Sequence, residues 1–330
     1  MDQVNTVQHR RLGAGGLSVS AIGLGCMSLS GIYGAANDAE SEELIRYAID
    51  QGVDHLDSSD MYGWGHNEEV IGRAIKGRRD RVVLASKFGQ TQNPGGPNGV
   101  NGRPEYVIAA CEASLKRLGV EVIDLFYQHR VDPAVPVEDT VGAMAKLVAQ
   151  GKVRYLGLSE AHPERIRRAH AVHPIAAVQT EYSLLYREEA EATRETTREL
   201  GIGFVAYSPL GRGFLTGAIT STDQFDPGDF RADNPRFSGA NFERNLRSAE
   251  EVKAIAAEAL ATPAQVAIAW LLTRGDDIVP IPGTKRVSRL EENLAADTVT
   301  LTNEQIARLD DLTPAAGGHH TEAQMRMIGR

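Results

Sequence analysis

The chain has 330 residues, 42% of them hydrophobic, with a net charge of −9 and a pI near 5.5. This acidic balance argues against nucleic acid or an anionic membrane as a general partner, although a local basic cluster could still bind a phosphate. The length would allow one large or two medium domains, but no long polar linker divides the sequence, so we expect one domain over residues 1–330.

The sequence contains no recognisable targeting or membrane segment. The opening residues, MDQVNTVQHRRLG, lack an apolar stretch, and no run of about 18 apolar residues follows. The two cysteines, Cys26 in a predicted strand and Cys111 in a predicted helix, are typical of small buried residues in a reducing compartment. We therefore expect a soluble, cytoplasmic protein without a disulfide.

The N-terminal part has two short apolar runs within RRLGAGGLSVSAIGLG, separated by glycine and serine. This pattern predicts a β-hairpin followed by the first strand of the core. The GAGG segment resembles a fragment of a dinucleotide-binding loop. However, it precedes a strand instead of following one and the glycine pattern is incomplete, which favours a tight turn.

Helical and strand-like segments then alternate with short connections. Helical spacing of apolar residues occurs in SEELIRYAIDQG, NEEVIGRAIKG, RPEYVIAACEASLKRLG, VEDTVGAMAKLVAQG, PERIRRAHAV and EEAEATRETTRELG. The apolar runs between them are typical of buried parallel strands, and eight strands result if IVPIPG is the last. The alternation predicts an α/β fold, a (β/α)8 TIM barrel preceded by the hairpin.

Two connections are too long for simple turns. The first, GQTQNPGGPNGVNGRP, is rich in glycine, proline and asparagine, and we expect it to be mobile. The second runs from Ser208 to about Asn245 and contains Arg212, Arg231 and several phenylalanines. We expect both at the C-terminal face of the barrel, either as functional loops or as surface insertions.

The C-terminal segment begins with TNEQIARLDDL, which predicts a helix with Thr302 as its N-cap. The residues after it, PAAGGHHTEAQMRMIGR, include the adjacent His319 and His320. No other ligands stand at metal-site spacing nearby, which favours a loosely ordered tail without a metal.

Polar residues end three successive predicted strands: Asp57 the second, Lys87 the third and His129 the fourth, while Tyr62 lies on the loop just after the second. The C-terminal ends of barrel strands meet at one face, which is where TIM barrels build their active sites. Each residue alone would more often be structural, as a cap, an ordinary aromatic or a hydrogen-bonded histidine. Their joint placement favours a catalytic site.

This quartet fits one chemistry. A tyrosine phenol ordinarily titrates near pH ~10, but a neighbouring ammonium lowers its pKa, and an aspartate holds that ammonium in place. A histidine can donate a hydrogen bond to a carbonyl oxygen that is gaining negative charge. The set predicts protonation of a carbonyl oxygen while a hydride reaches the carbon, and the hydride must come from a cofactor because no side chain supplies it.

Several segments in order resemble the aldo-keto reductase superfamily: HLDSSDMYG, SKFG, LFYQHR, GKVRYLGLSE, VQTEYSLLYR, VAYSPLGRGFLTG and IPGTKRVSRLEENLAA. HRVDP and LSEA resemble its plant and bacterial branch, which includes reductases of bulky carbonyls such as perakine and of pyridoxal. The resemblance implies that Tyr62 is the general acid, or the base in the oxidative direction. It also implies that Lys87 and Asp57 tune the pKa of Tyr62 and that His129 orients the carbonyl.

The resemblance further implies contacts to the nicotinamide of a dinucleotide. Ser159 and Gln179 are the implied hydrogen-bonding partners of the carboxamide, and Tyr207 is the aromatic on which the ring stacks. Many relatives have Ser-Asn where this chain has Ser159 and Glu160. A carboxylate does not donate to the carboxamide oxygen unless it is protonated, which argues against Glu160 as a direct replacement.

The implied contacts to the rest of the dinucleotide fall into two groups. Those along the pyrophosphate are Ser208, Leu210 and Gly213, and those around the adenosine 2′-phosphate and adenine are Gly283, Thr284, Lys285, Arg289, Glu292 and Asn293. Basic residues before a helix suit a phosphate, and they favour NADPH because a free ribose hydroxyl would leave their charge unused. A solvated helix start is the alternative for Lys285, Arg286 and Arg289.

We therefore expect an NADPH-dependent oxidoreductase that reduces a small-molecule aldehyde or ketone, with Trp64, Phe88 and Arg130 on the substrate wall. A different class of function stays open, that of a regulatory or redox-sensing subunit. Some relatives of this fold bind NADPH and act in this way with slow turnover, and they can retain the quartet. A barrel hydrolase lacks support because neither a nucleophile elbow nor a metal-ligand cluster occurs in the sequence.

Overall fold

The computed structural model describes residues 7–93, 98–226, 228–325 and 328. Its strands alternate with helices as the sequence predicts. The strands are β1 (His9–Leu12), β2 (Leu17–Ser20), β3 (Leu24–Gly25), β4 (His55–Asp57), β5 (Val83–Phe88), β6 (Gln90–Thr91), β7 (Gly99–Val100), β8 (Ile123–Gln128), β9 (Val153–Ser159), β10 (Ile175–Glu181), β11 (Gly203–Tyr207) and β12 (Ile278–Pro280).

The helices pack around the strands. They are α1 (Asp38–Asp50), α2 (His66–Ala74), α3 (Pro104–Leu118), α4 (Val137–Ala149), α5 (Pro163–Val172), α6 (Glu188–Glu199), α7 (Gly239–Glu258), α8 (Pro263–Thr273), α9 (Val287–Leu294), α10 (Asn303–Asp310) and α11 (Glu322–Met325).

Eight strands form one parallel sheet in the order β3-β4-β5-β8-β9-β10-β11-β12. The two outer strands of this order approach each other. The N–H of Gly23 donates to the carbonyl oxygen of Pro280 at 3.0 Å, and the N–H of Gly25 donates to that of Pro282 at 3.3 Å. These bonds close the sheet, so the predicted (β/α)8 barrel is confirmed.

The N-terminal hairpin is also confirmed, and it covers one end of the barrel. Strands β1 and β2 pair antiparallel from His9 opposite Ser20 to Leu12 opposite Leu17. Leu12, Leu17 and Val19 are buried in the same apolar cluster as residues of the barrel interior. The hairpin therefore seals the N-terminal end and leaves the C-terminal end for the site.

Side chains alternate between two apolar layers along each barrel strand, as strand geometry requires. In β5, Ala85 packs in the barrel interior, whereas Leu84 and Phe88 pack between the barrel and the helices. In β8, Tyr127 belongs to the interior and Phe126 to the outer layer. This alternation decides which residues at the strand ends can face the barrel mouth.

Local signals explain where the helices begin and end. Thr302 caps α10 by accepting the N–H of Gln305, whose side chain accepts the N–H of Thr302 in return, which confirms the predicted N-cap. Helix α3 has Pro104 in its first turn and ends at Gly119, whose φ of 64° lies in the left-handed region that glycine adopts without a steric penalty.

The two long connections both contain local structure. In the first, β6 and β7 form a short antiparallel ladder, and residues 94–97, on which the expectation of mobility also rested, lie outside the described residues. In the second, short 3-10 turns cover Thr222–Gln224, Phe230–Asp233 and Pro235–Phe237 before α7 begins at Gly239.

Both cysteines are buried free thiols, with Cys111 in α3 as predicted and Cys26 just after β3 instead of within it. Within the described ranges, no single helix has the length and apolar character to cross a membrane. One bent pair, α7 and α8 at 88°, meets both criteria on length and composition alone.

Candidate active site

The four residues of the quartet meet at the C-terminal end of the barrel, as the sequence predicts. Asp57 is the last residue of β4, Lys87 lies one residue before the end of β5, and His129 directly follows β8. Tyr62 begins the turn that leads into α2. Their exposed fractions are 1% for Asp57, 7% for Tyr62, 0% for Lys87 and 5% for His129, so water contacts them little. These four residues are called the tetrad below.

Lys87 lies at the centre of the tetrad and bonds to two of its other members. Its ammonium donates to a carboxylate oxygen of Asp57, to the carbonyl oxygen of Ser58 at 2.7 Å and to the phenol oxygen of Tyr62 at 3.3 Å. An ammonium has three hydrogens and accepts none, so all three are used. The oxygen of Tyr62 therefore accepts from Lys87, and its own hydrogen is free to point towards the cavity beside it.

The pKa values of this pair set its protonation at neutral pH. Burial lowers the pKa of Lys87, but Asp57 and Tyr62 raise it by more, so the ammonium stays charged. Burial raises the pKa of Tyr62 above its ordinary value, and the charge of Lys87 lowers it only in part. We expected Lys87 to lower the pKa of Tyr62. The charge of Lys87 does so, but burial of the phenol raises this pKa by more, so the expected net decrease is wrong.

His129 is neutral in this setting. Burial lowers the pKa of His129 well below its ordinary value, and the nearby charges of Arg130 and Lys87 lower it further. Its ring meets that of Tyr62 edge-on, with the centroids 6.0 Å apart. A neutral imidazole carries one N–H and one acceptor nitrogen, so His129 can donate one hydrogen bond beside the phenol.

The predicted nicotinamide contacts lie at or near the neighbouring strand ends, where Gln179 bonds to the tetrad directly and Ser159 through Arg130. The Gln179 side-chain amide donates to Asp57 at 2.7 Å, which gives this carboxylate a second donor besides Lys87. Arg130 donates to the hydroxyl of Ser159 at 3.3 Å and to the carbonyl oxygen of His129 at 2.7 Å.

A cavity of about 1010 Å³ opens above the tetrad and crosses the barrel mouth. Ligand pockets usually measure ~300–1,000 Å³, so this one has room for a large ligand. Of the predicted site residues, the following line it: Asp57, Tyr62, Trp64, His129, Arg130, Ser159, Gln179, Tyr207, Ser208, Leu210, Gly213, Gly283, Thr284, Lys285, Arg289, Glu292 and Asn293. Lys87 lies beneath the wall, behind Tyr62.

Phe88 does not line this cavity, so its predicted place on the substrate wall is wrong. It is fully buried and stacks on Phe126, with the ring centroids 4.9 Å apart. The reason is strand alternation: Lys87 is directed into the barrel, so its neighbour Phe88 is directed outward to the helices. Counting residues along the strand would have excluded it.

The cavity has a basic end, which consists of Lys285, Arg286 and Arg289 just before and within the start of α9. Lys285 donates to the carbonyl oxygens of Tyr33 at 2.8 Å and of Ala35 at 2.9 Å. Arg286 and Arg289 are exposed, and Arg289 pairs with Glu292 at 2.6 Å. These charges and the helix N-terminus suit a phosphate.

Between the tetrad and the basic end, the chain after β11 takes unusual backbone angles. Ser208 has a φ of 49°, and Gly213 has a φ of 94°, both in the left-handed region. A Cβ at Gly213 would approach Ile219 at 3.2 Å and Arg231 at 3.3 Å, so only glycine fits this turn comfortably. Arg212, in the same turn, has a buried Nη1 without a partner among the described residues, a donor that a bound anion would satisfy.

The long second loop and the C-terminal segment supply wall residues that the sequence did not single out for that position, among them Phe230, His320 and Gln324. The expectation of a loosely ordered tail is wrong for the described part of this segment. His319 is 3% exposed and its carbonyl oxygen accepts from Asn234 at 3.0 Å, while His320 lies 3.3 Å from the hydroxyl of Tyr207. Residues 326, 327, 329 and 330 lie outside the described residues.

Glu181 lies beside these histidines, with ligand atoms of all three within 4.8 Å of one another. Its buried carboxylate already pairs with Arg236 at 2.5 Å and with Arg212 at 3.4 Å. Two guanidinium groups on one carboxylate oppose a metal cation there, so this cluster is better described as a charge network that holds the loop and the C-terminal segment together.

Glu160 occupies a strained position at the end of β9. It is 1% exposed and has a φ of 53°. Its carboxylate accepts the backbone N–H of Glu181 at 2.9 Å, so it acts as an acceptor that ties β9 to β10.

The donor groups around the cavity fit a phosphate-bearing dinucleotide. The basic end and the free nitrogen of Arg212 suit phosphates, Tyr207 offers an aromatic face, and Ser159 and Gln179 offer polar atoms near the tetrad. Fixed polar groups of this kind along a large concave site are typical of cofactor binding.

Comparisons with known proteins agree with this geometry. The model of the aldo/keto reductase family matches residues 21–314. Over 322 residues the chain is 44% identical to a Glycine max protein named probable aldo-keto reductase 1, an alignment that spans 95% of this chain and 92% of that protein.

Solved structures give the same result. A glycerol dehydrogenase from Gluconobacter oxydans superposes with a TM-score of 0.83 at 27% identity, over 92% of this chain and 94% of that one. A thermostable aldo-keto reductase in complex with the inhibitor epalrestat superposes with a TM-score of 0.74 at 31% identity, over 92% and 98%.

Proposed function

The chain belongs to the aldo-keto reductase family, whose members reduce small-molecule carbonyl compounds with NAD(P)H, and on this premise we propose that it uses NADPH to reduce an aldehyde or a ketone to an alcohol. NADPH supplies the hydride that reaches the carbonyl carbon. The overall reaction consumes one NADPH and one proton and yields one alcohol and one NADP⁺. In the oxidative direction the same groups act in reverse, with Tyr62 as the base that takes the proton from the alcohol and NADP⁺ as the hydride acceptor.

Tyr62 is the proposed general acid. The observation that carries this role is the use of all three ammonium hydrogens of Lys87, one of them by the oxygen of Tyr62. The phenol hydrogen then remains for a carbonyl oxygen in the cavity. As that proton leaves, the charged Lys87 stabilises the phenolate, and Asp57 keeps Lys87 in place.

His129 has the proposed role of orienting the carbonyl. Because its imidazole is neutral and lies beside Tyr62, one N–H can meet the carbonyl oxygen as negative charge develops there. Both donors would then bond to the same carbonyl oxygen. Trp64 and Arg130, which also line the cavity, are the proposed substrate contacts.

NADPH is the proposed cofactor over NADH. Ser159 and Gln179 would meet the carboxamide, Tyr207 would stack on the nicotinamide, and Ser208, Leu210 and Gly213 would follow the pyrophosphate. The preference rests on Lys285 and Arg289 at the basic end, beside Gly283, Thr284, Glu292 and Asn293, because a 2′-phosphate would neutralise those charges.

The test is a panel of small aldehydes and ketones incubated with the protein and NADPH. We expect at least one compound to be reduced with one alcohol formed per NADPH consumed. Tight NADPH binding together with only slow turnover of every compound would contradict the enzymatic role and favour a regulatory or redox-sensing subunit. Failure to bind NADPH would contradict both.

A further inference from the structure

The loop between Asp57 and Tyr62 contains a buried hydroxyl with no role in the chemistry described so far. Ser59 is fully buried, and its Oγ lies 2.9 Å from Nδ1 of His129. The loop is held to the next strand, since the N–H of Asp60 donates to the carbonyl oxygen of Lys87 at 3.0 Å. Ser59 is therefore fixed against Nδ1 of His129, which leaves Nε2 as the ring nitrogen available to a substrate.

A serine hydroxyl has one hydrogen to donate, so its possible acceptors compete. The distance from Ser59 Oγ is 2.9 Å to Nδ1 of His129, 3.4 Å to a carboxylate oxygen of Asp60 and 3.5 Å to the carbonyl oxygen of Lys87. The first distance is the only one of ordinary hydrogen-bond length. The N–H of Met61, at 3.3 Å, points its hydrogen at the same oxygen and so takes up one of its lone pairs.

The direction of this hydrogen bond decides which nitrogen of His129 carries the proton. If Ser59 donates, Nδ1 is the acceptor and the single N–H of the neutral ring is on Nε2. If instead Nδ1 carried the proton and donated to Ser59, Nε2 would be an acceptor, which repels a carbonyl oxygen. Only the first arrangement gives His129 a hydrogen to offer to a substrate.

We propose that Ser59 is a positioning residue that donates to Nδ1 of His129 and thereby fixes the Nε2–H tautomer. This inference deepens the proposed function and rests on it for its consequence in catalysis. Its structural part, the tautomer of one buried histidine, stands apart from any turnover.

The first test is the tautomer in the unaltered protein. Nitrogen-15 labelled histidine in a two-bond proton–nitrogen spectrum distinguishes a protonated ring nitrogen from a bare one. The chain has nine histidines, and the signals lost in His129→Gln identify His129. We expect its Nε2 to be protonated and its Nδ1 bare, and the opposite pattern would overturn the proposal even if the enzyme reduces carbonyls.

The second test is Ser59→Ala. We expect the spectrum of His129 to move towards the Nδ1–H tautomer and kcat to fall roughly tenfold, the scale set by losing one hydrogen bond. The dissociation constant of NADPH should stay within about twofold, since no residue of the basic end takes part in this bond. A spectrum and a kcat that both match the unaltered protein would overturn the proposal, as would equal losses in kcat and in NADPH binding.

Ser86→Ala is the matched control. Ser86 is also fully buried and adjoins Lys87 in sequence, but its hydroxyl donates to Glu68 at 2.5 Å, on the outer side of β5. The Ser86→Ala substitution removes a buried hydroxyl that does not bond to His129, so the tautomer of His129 should not change. Should Ser59→Ala not fold, Ser59→Cys replaces the hydroxyl by a weaker donor of similar size and is read in the same way.

Discussion

At one end of the cavity the four tetrad residues are at most 7% exposed, and Lys87 bonds to both Asp57 and Tyr62. At the basic end Arg286 and Arg289 are exposed, and Lys285 bonds to a loop. The first end is built on barrel strands, and the second on the chain around the start of α9. Because Lys87 and Asp57 are a buried ion pair, a substitution of either residue should change both the proposed reaction and the free energy of unfolding. Exposed charges such as those of Arg286 and Arg289 contribute little to the stability of the fold, and under the proposed function they would contribute to the affinity for NADPH.

The largest expected effect is a loss of stability on removal of the buried charge of Lys87. Lys87→Met leaves the carboxylate of Asp57 buried, and its remaining side-chain donor among the described residues is the neutral amide of Gln179. Losing one partner of a buried pair costs about 3 kcal/mol or more. We expect the midpoint of urea unfolding to fall accordingly. Adding Asp57→Asn removes the stranded charge and should restore part of the loss. If Lys87→Met alone were as stable as the unaltered protein, the buried pair would not have the energetics described here.

The next largest expected effect is a loss of NADPH affinity when the charges of the basic end are removed. Lys285→Ala combined with Arg289→Ala should weaken NADPH binding roughly hundredfold and NADH binding far less, because only NADPH has the 2′-phosphate. The readout is quenching of tryptophan fluorescence, since Trp64 lines the cavity and Trp270 is buried elsewhere.

The control for that pair is Arg244→Ala with Lys253→Ala. Both residues are on α7, both are exposed, and neither lines the cavity, so the net charge changes by the same amount without altering the basic end. Equal weakening of NADPH and NADH by the cavity variant would contradict a phosphate site there.

The smallest effect concerns Asp60, in the loop between Asp57 and Tyr62. Burial, and then the charge of Glu68, raise the pKa of Asp60 to about 7. A carboxyl group with a raised pKa contributes stability that is complete only below its unfolded pKa of ~4, and this stability is lost progressively as pH rises from there to the folded pKa of about 7.

Asp60→Asn cannot ionise and should therefore gain stability over the unaltered protein, by about 2 kcal/mol above pH 7 after allowance for partial exposure, and by roughly a third of that at pH 5. Urea unfolding at pH 5 and pH 8.5 measures this difference, with the exposed Asp233→Asn as reference. A gain that is equal at both pH values would rule out titration of Asp60 as its cause.

The strand ends were predictable from the sequence because barrel geometry leaves few options. Apolar runs ending in Asp57, Lys87 and His129 fix both the fold and the meeting point of these side chains. The prediction for Phe88 is wrong because side chains alternate along β5, which directs Phe88 outward to pack on Phe126.

Other features needed tertiary structure. His320 is distant in sequence from Tyr207, and tertiary contacts, among them the bond of Asn234 to His319 and that of Arg212 to His320, bring the C-terminal segment to the mouth. The bond between Ser59 and His129 joins residues 70 positions apart, and no local pattern marks it. The pKa of Tyr62 depends on how deeply the phenol is buried, which composition does not reveal.

The most direct measurement is a single turnover of a reducible aldehyde by Tyr62→Phe loaded with NADPH, beside the unaltered protein. The variant keeps the ring and removes the phenol hydrogen that Lys87 leaves free for the substrate. We predict a rate of NADPH oxidation about a thousandfold lower, within the range of lost general acid catalysis, with NADPH binding unchanged. A variant that oxidises NADPH at nearly the unaltered rate would contradict the role of Tyr62 as the proton donor.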